Sequence, residues 1–223
     1  MTVSHKEVHT QSAFSDSASP STCVTGSGRR RAPADGRTRS SCPGAGLRRG
    51  RGRRTVEAVP RPVPIRPGPG QESVWDYPRP PRVEACTAEL AVVLGGEVVA
   101  RTSSSWRVLE TSHPPTYYLP RSAFVAGSVR AAPGASWCEW KGQAAYVDLV
   151  GGGKVALRAG WTYPDPAPGY EVLAGAIAVM PGAVDRCTVD GEVVQPQEGG
   201  FYGGWITSDV VGPFKGGPGT QGW

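Results

Sequence analysis

Across residues 71–223 the apolar positions fall into short runs rich in β-branched side chains and broken by glycine. That pattern predicts strands and tight turns rather than helices. Three hairpins are expected. Residues 89–94 meet Gly95-Gly96 and return as 97–102; residues 145–150 meet Gly151-Gly152-Gly153 and return as 154–158; residues 186–189 meet Asp190-Gly191 and return as 192–195. Gly-Gly and Asp-Gly supply the positive φ that tight hairpin turns demand. Residues 72–84, with Pro78, Pro80 and Pro81, predict an extended arm, because each proline fixes φ and removes a donor. Helix is confined to a turn or two near residues 121–129 and 170–176. The expectation is an all-β fold, one small strand-rich domain over residues 71–223 with long ordered loops.

The first 70 residues follow a different rule. Seventeen of the 18 aromatic residues lie beyond them, leaving only Phe14. Aromatic side chains bury the largest apolar areas, so this segment has little with which to build a core. It is Ser/Thr-rich, then Arg/Gly-rich, then Pro-rich, a composition that predicts a disordered N-terminal tail. A flexible basic arm, a targeting peptide and an unselected extension from an early start codon are all compatible with it.

Charge divides at the same place. Residues 1–70 hold 13 of the 24 Lys+Arg and 4 of the 19 Asp+Glu, which leaves 11 basic and 15 acidic residues for the domain. The basic total therefore belongs to the tail, and a nucleic-acid role is not expected of the domain. No apolar run approaches the roughly 20 residues of a membrane span. Five cysteines (23, 42, 86, 138 and 187) are widely spaced and form no CxxC pair. Neither a zinc knuckle nor a dithiol motif follows, no metal is expected, and no motif identifies a cofactor. The odd, scattered count favours reduced thiols in the cytoplasm.

Three stretches carry the chemistry. In residues 108–120, His113 is the domain's sole histidine, stiffened by Pro114 and Pro115, with Glu110 three residues upstream. Imidazole acid–base work near neutral pH has no other candidate; a surface histidine serving only turn geometry is the alternative. In residues 135–146, Trp137, Cys138, Trp140 and Lys141 lie within five residues, and a neighbouring cation favours a thiolate. A structural thiol between core tryptophans is the competing reading. In residues 160–168, Trp161 and Tyr163 share one face of an extended chain and suit either core or pocket wall. The closing residues 199–207 alternate small and aromatic side chains and can lie flat over a sheet.

These stretches together resemble the bacterial "domain of unknown function 427" family, labelled nucleotidyltransferase-like. The carrying residues are Trp75, Asp76 and Tyr77 with the prolines that follow; Glu110 with His113, Pro114 and Pro115; Tyr117 and Tyr118; Cys138 with Trp140, Lys141 and Gly142; Trp161 and Tyr163; and the segments 199–207 and 209–215. The resemblance covers residues 72 to about 219. It implies a small β fold of the β-tent kind, related to modules that often hold zinc between paired cysteines, pairs this chain lacks. The family usually places Pro after the cysteine where this chain has Glu139. The transferase label finds no residues to support it, because no Asp-x-Asp pair is available to hold a divalent metal against phosphates.

The functional expectation is an aromatic-lined pocket for a small polar or anionic ligand. His113, Cys138 and Lys141 are its catalytic candidates, and Trp140, Trp161, Tyr117 and Arg121 its ligand-binding candidates. A non-catalytic binding or protein-interaction module, with the same motifs serving as fold determinants, is the alternative.

Overall fold

A computed structural model of the chain describes residues 62–220, 222 and 223. The disordered tail expected for residues 1–70 thus lies, up to residue 61, outside the described residues. Residues 62–68 form no regular element and lead into a turn at 69–70, and the Ile65 N–H donates to the Gly212 carbonyl at 2.8 Å, so main-chain pairing begins upstream of residue 71.

Fifteen short strands are described: β1 (Glu72–Ser73), β2 (Arg82–Cys86), β3 (Leu90–Leu94), β4 (Glu97–Thr102), β5 (Ser105–Leu109), β6 (Thr116–Leu119), β7 (Val129–Cys138), β8 (Gly142–Gly151), β9 (Lys154–Thr162), β10 (Ile177–Val179), β11 (Arg186–Val189), β12 (Glu192–Val193), β13 (Gln195–Pro196), β14 (Trp205–Ile206) and β15 (Val210–Val211). The described helices are 3₁₀ turns of three residues, two of them at Arg121–Ala123 and Glu171–Leu173, inside the stretches expected to turn. All three predicted hairpins form, as β3–β4, β8–β9 and β11–β12. The protein is all-β, as expected. Among the described residues no helix is long and apolar enough to cross a membrane.

A seven-stranded antiparallel sheet has the order β2-β5-β6-β10-β9-β8-β7, and a four-stranded sheet the order β12-β11-β3-β4. Side chains alternate across a strand, so the large sheet has two distinct faces. One face (Tyr117, Leu119, Val147, Leu149, Ile177, Val179) packs with Leu90, Val92, Leu94 and Val99 of the small sheet in the main core. Trp205 seals that core, fully buried, its indole N–H donating to the Val179 carbonyl at 3.0 Å. Burying side chains of this size contributes about 2–3 kcal/mol each.

Two of the predicted glycine turns meet each other. Gly95 and Gly152 both have positive φ, and a Cβ on either would run into the other's backbone. The turns β3–β4 and β8–β9 therefore touch main chain to main chain, which only glycine permits.

The proline-rich arm is anchored by charge. Arg107 of β5 makes two hydrogen bonds to Glu72 at 3.0 and 3.1 Å and pairs with Glu84 at 2.8 Å, while Tyr77 donates to Glu72 at 2.7 Å. Burial pushes the Glu72 carboxyl up, but the bonds from Arg107 and Tyr77 outweigh it and hold the group below its ordinary range.

Candidate functional site

The second face of the large sheet carries the chemistry. Trp106, Tyr118, Ala178, Trp161 and Tyr146 stand opposite one another in a single row across β5, β6, β10, β9 and β8. Ala178 is the small member, and the rings on either side of it meet at right angles. Their centroids are 6.2 Å apart, and the Trp161 indole N–H donates to the Tyr118 hydroxyl at 3.1 Å. Tyr118, Trp161 and Tyr146 line a cavity of about 450 Å³.

Two loops and one turn complete its wall. His113 lies between β5 and β6, in a loop fixed from several sides. The Ser112 N–H donates to Val74 at 3.0 Å, the Lys215 N–H donates to Ser112 at 2.8 Å, and the Trp205 N–H donates to Pro115 at 2.8 Å. Ser112 itself sits at φ 69, fully buried, a left-handed conformation that costs a non-glycine residue of order 1 kcal/mol. Cys138 ends β7, and Glu139, Trp140 and Lys141 form the three-residue turn into β8, closed by Gly142 at φ 90. Residues 197–203 bring Gln197, Phe201, Tyr202 and Gly203 to the same cavity. Gly203 lies so close to the Trp161 indole that no Cβ fits between them.

The structure thus brings His113, Cys138, Lys141, Trp140 and Trp161 to one cavity. It does not bring Tyr117 or Arg121 there. Tyr117 is the neighbour of Tyr118 on β6, so alternation turns it to the opposite face, where its ring packs 5.1 Å from Trp205 in the core. Arg121 opens an exposed 3₁₀ turn and reaches the Val129 carbonyl at 3.4 Å.

The polar groups are strongly organised. Gln197 accepts from the Gly204 N–H through Oε1 (3.1 Å) and donates through Nε2 to the Lys215 carbonyl (2.6 Å), which fixes its amide orientation. That same Nε2 lies 3.1 Å from His113 Nδ1, so Nδ1 is an acceptor and the ring proton resides on Nε2. Burial, with the charges of Lys215, Arg79 and Lys141 adding to it, pushes the imidazole down to about 3. It is neutral across the physiological range.

Lys141 is 7% exposed, and among the described residues its ammonium has no carboxylate within ion-pair distance. It lies over the Tyr170 ring, 5.9 Å from the centroid. Of the carboxylates in the wall, Glu110 is paired with Arg79 at 3.4 Å and Glu139 is exposed. Burial raises the phenols of Tyr118 and Tyr163 above their ordinary range, so both stay protonated. Cys138 is a free, half-buried thiol. The indole N–H of Trp140 is buried with no acceptor among the described residues.

Sequence reasoning missed Gln197, Tyr202 and Lys215 as wall residues. Lys215 stood in a quoted motif without a role; Gln197 had no local signal.

Residues 82–190 match the family described as "Domain of unknown function (DUF427)". His113, Cys138, Lys141 and Trp161 fall inside the matched stretch. Gln197, Tyr202 and Lys215, which close the cavity, fall beyond it. No curated protein matches the chain.

Proposed function

We propose that the cavity is a binding site for a small polar or anionic molecule held against indole and phenol rings. The observation that carries this reading is Lys141, a lysine 7% exposed in an aromatic wall, with no carboxylate within ion-pair distance among the described residues. An uncompensated buried cation is costly, and chains retain one where an external anion supplies the partner. Lys215 adds positive potential from the facing loop, and Trp140 and Trp161 supply the apolar surface. A titration with acetate, benzoate and sulfate tests the reading, followed through the indole N–H signals of Trp140 and Trp161. Shifts that disappear in Lys141→Met support it; signals indifferent to every anion at millimolar concentration refute it.

Catalysis at this site would run through Cys138, whose thiol lines the same cavity: its sulfur would bond one carbon of an activated double bond as the π bond breaks, and the thiol proton would pass to the other carbon, giving a thioether adduct with no leaving group. In that reading His113 is not the base the sequence suggested. With its proton on Nε2 it donates a hydrogen bond, a role suited to a developing negative charge. Thiol labelling of the wild type and His113→Ala across pH separates the cases: ordinary, His-independent reactivity of Cys138 leaves a purely binding site. Trp137 and Phe201, both more than 70% exposed at the rim, are the surface a non-catalytic interaction module would use.

A further inference from the structure

The cavity's inventory of donors and acceptors is one-sided. Apart from the solvent-exposed Glu139 carboxylate and the remaining hydroxyls of the wall, its side-chain acceptors are already engaged: Gln197 Oε1 by the Gly204 N–H, the Tyr118 hydroxyl by the Trp161 indole, and Glu110 by Arg79. Its donors are not. His113 Nε2–H has no acceptor among the described residues, Lys141 has no counter-ion there, and the Trp140 indole N–H in the same wall is buried without a partner. An accepting group on a ligand would meet all three of these donors.

Charge and shape narrow the class further. Of the two ammonium groups in the wall, Lys215 donates to the Trp223 main-chain oxygen at 2.8 Å, whereas Lys141 has no hydrogen-bond acceptor among the described residues and is the cation free to bond a ligand directly. One buried cation with two neutral donors matches a monoanion. A phosphoryl dianion is ordinarily held by a nest of main-chain N–H groups or by paired cations, and this wall is built of side-chain rings instead. Tyr118, Tyr146, Trp140, Trp161 and Tyr163 offer flat faces and edges, which reward a planar partner. At about 450 Å³ the cavity lies in the range occupied by small organic ligands.

We infer that the ligand is a planar aromatic or heteroaromatic monocarboxylate of one or two rings, its carboxylate between Lys141 and His113 and its ring among the aromatic side chains. This rests on the anion-site reading above and specifies it.

The test uses the full chain and four probes: 2-naphthoate, 2-naphthamide, cyclohexanecarboxylate and inorganic phosphate, with binding measured calorimetrically and by tryptophan fluorescence. The expected result is that 2-naphthoate binds at least tenfold more tightly than each of the other three. Lys141→Met should reduce 2-naphthoate to the level of 2-naphthamide and leave 2-naphthamide unchanged. His113→Asn, read in parallel, should weaken 2-naphthoate several-fold and guards against a misfolded lysine variant. Equal binding of 2-naphthamide overturns the carboxylate, and equal binding of cyclohexanecarboxylate overturns the planar ring. Tighter binding of phosphate overturns the monoanion. The last two outcomes leave the broader anion site standing, whereas binding of none of the three anions removes both.

Discussion

Gln197 Nε2 stands 3.1 Å from Nδ1 of His113, across 84 residues of sequence, and that contact decides which way the imidazole faces chemically. Because the Gln197 amide is held by Gly204 and Lys215, it can only donate to the ring. His113 is thereby set as an Nε2–H donor. Replacing Gln197 with Leu removes three hydrogen bonds, leaves the Gly204 N–H and the Lys215 carbonyl unpaired, and should destabilise the domain by about 2–4 kcal/mol. Long-range ¹⁵N–¹H spectra of the histidine ring should show a single Nε2–H tautomer in the wild type and a mixture in the variant.

Acid sensitivity follows from the same residue. The His113 imidazole has a folded value of about 3, well below the 6.5 it has when exposed. In the unfolded chain it takes up a proton below pH 6.5 that the folded protein refuses. Its contribution to stability is therefore complete above pH 6.5 and is lost progressively as the pH falls toward 3, with an upper bound on the order of 4–5 kcal/mol. Urea unfolding at pH 4 and pH 7.5 should show a smaller difference for His113→Asn than for the wild type.

Lys141→Met should raise thermal stability while abolishing anion binding. The substitution nearly keeps the length of the side chain and removes the charge of a lysine that is 7% exposed and has no carboxylate partner among the described residues. An apolar replacement of a poorly compensated buried charge is commonly worth about 1 kcal/mol or more in favour of the fold. A lowered melting temperature would mean that the charge has a structural partner.

The glycine turns offer a paired comparison. Gly152→Ala drives a Cβ into the Gly95 backbone at φ 52 and should cost more than about 2 kcal/mol. Gly153→Ala, at φ 74 with open space around it, should cost only about 1 kcal/mol. Chemical denaturation of the two variants separates contact from conformation.

The hairpins were legible in the chain because Gly95-Gly96, Gly151-Gly152-Gly153 and Asp190-Gly191 impose a turn wherever they occur between β-branched runs. β7 was not, because Ala132, Pro133 and Gly134 interrupt its alternation and read as a loop; folded, they bulge opposite Tyr146 while the strand continues on either side. The site was half legible for a related reason. His113, Cys138 and Lys141 announce themselves by residue type, and Trp161 by its spacing from Tyr163. Tyr117 and Tyr118 are chemically identical neighbours, and only the identity of the buried face separates a core ring from a cavity ring. Gln197 acquires its meaning from a partner far away in sequence, which no local pattern encodes.

If imidazole, thiol and ammonium share one ligand cavity, a bound ligand protects Cys138 from alkylation. Iodoacetamide should label Cys138 and spare Cys187, which is buried with its thiol pushed up to about 12. Saturating 2-naphthoate should then slow labelling of Cys138 at least tenfold while leaving half-buried Cys86, which does not line the cavity, unaffected. Equal rates at Cys138 with and without the anion, for a ligand shown to bind, would place the binding site away from Cys138, His113 and Lys141.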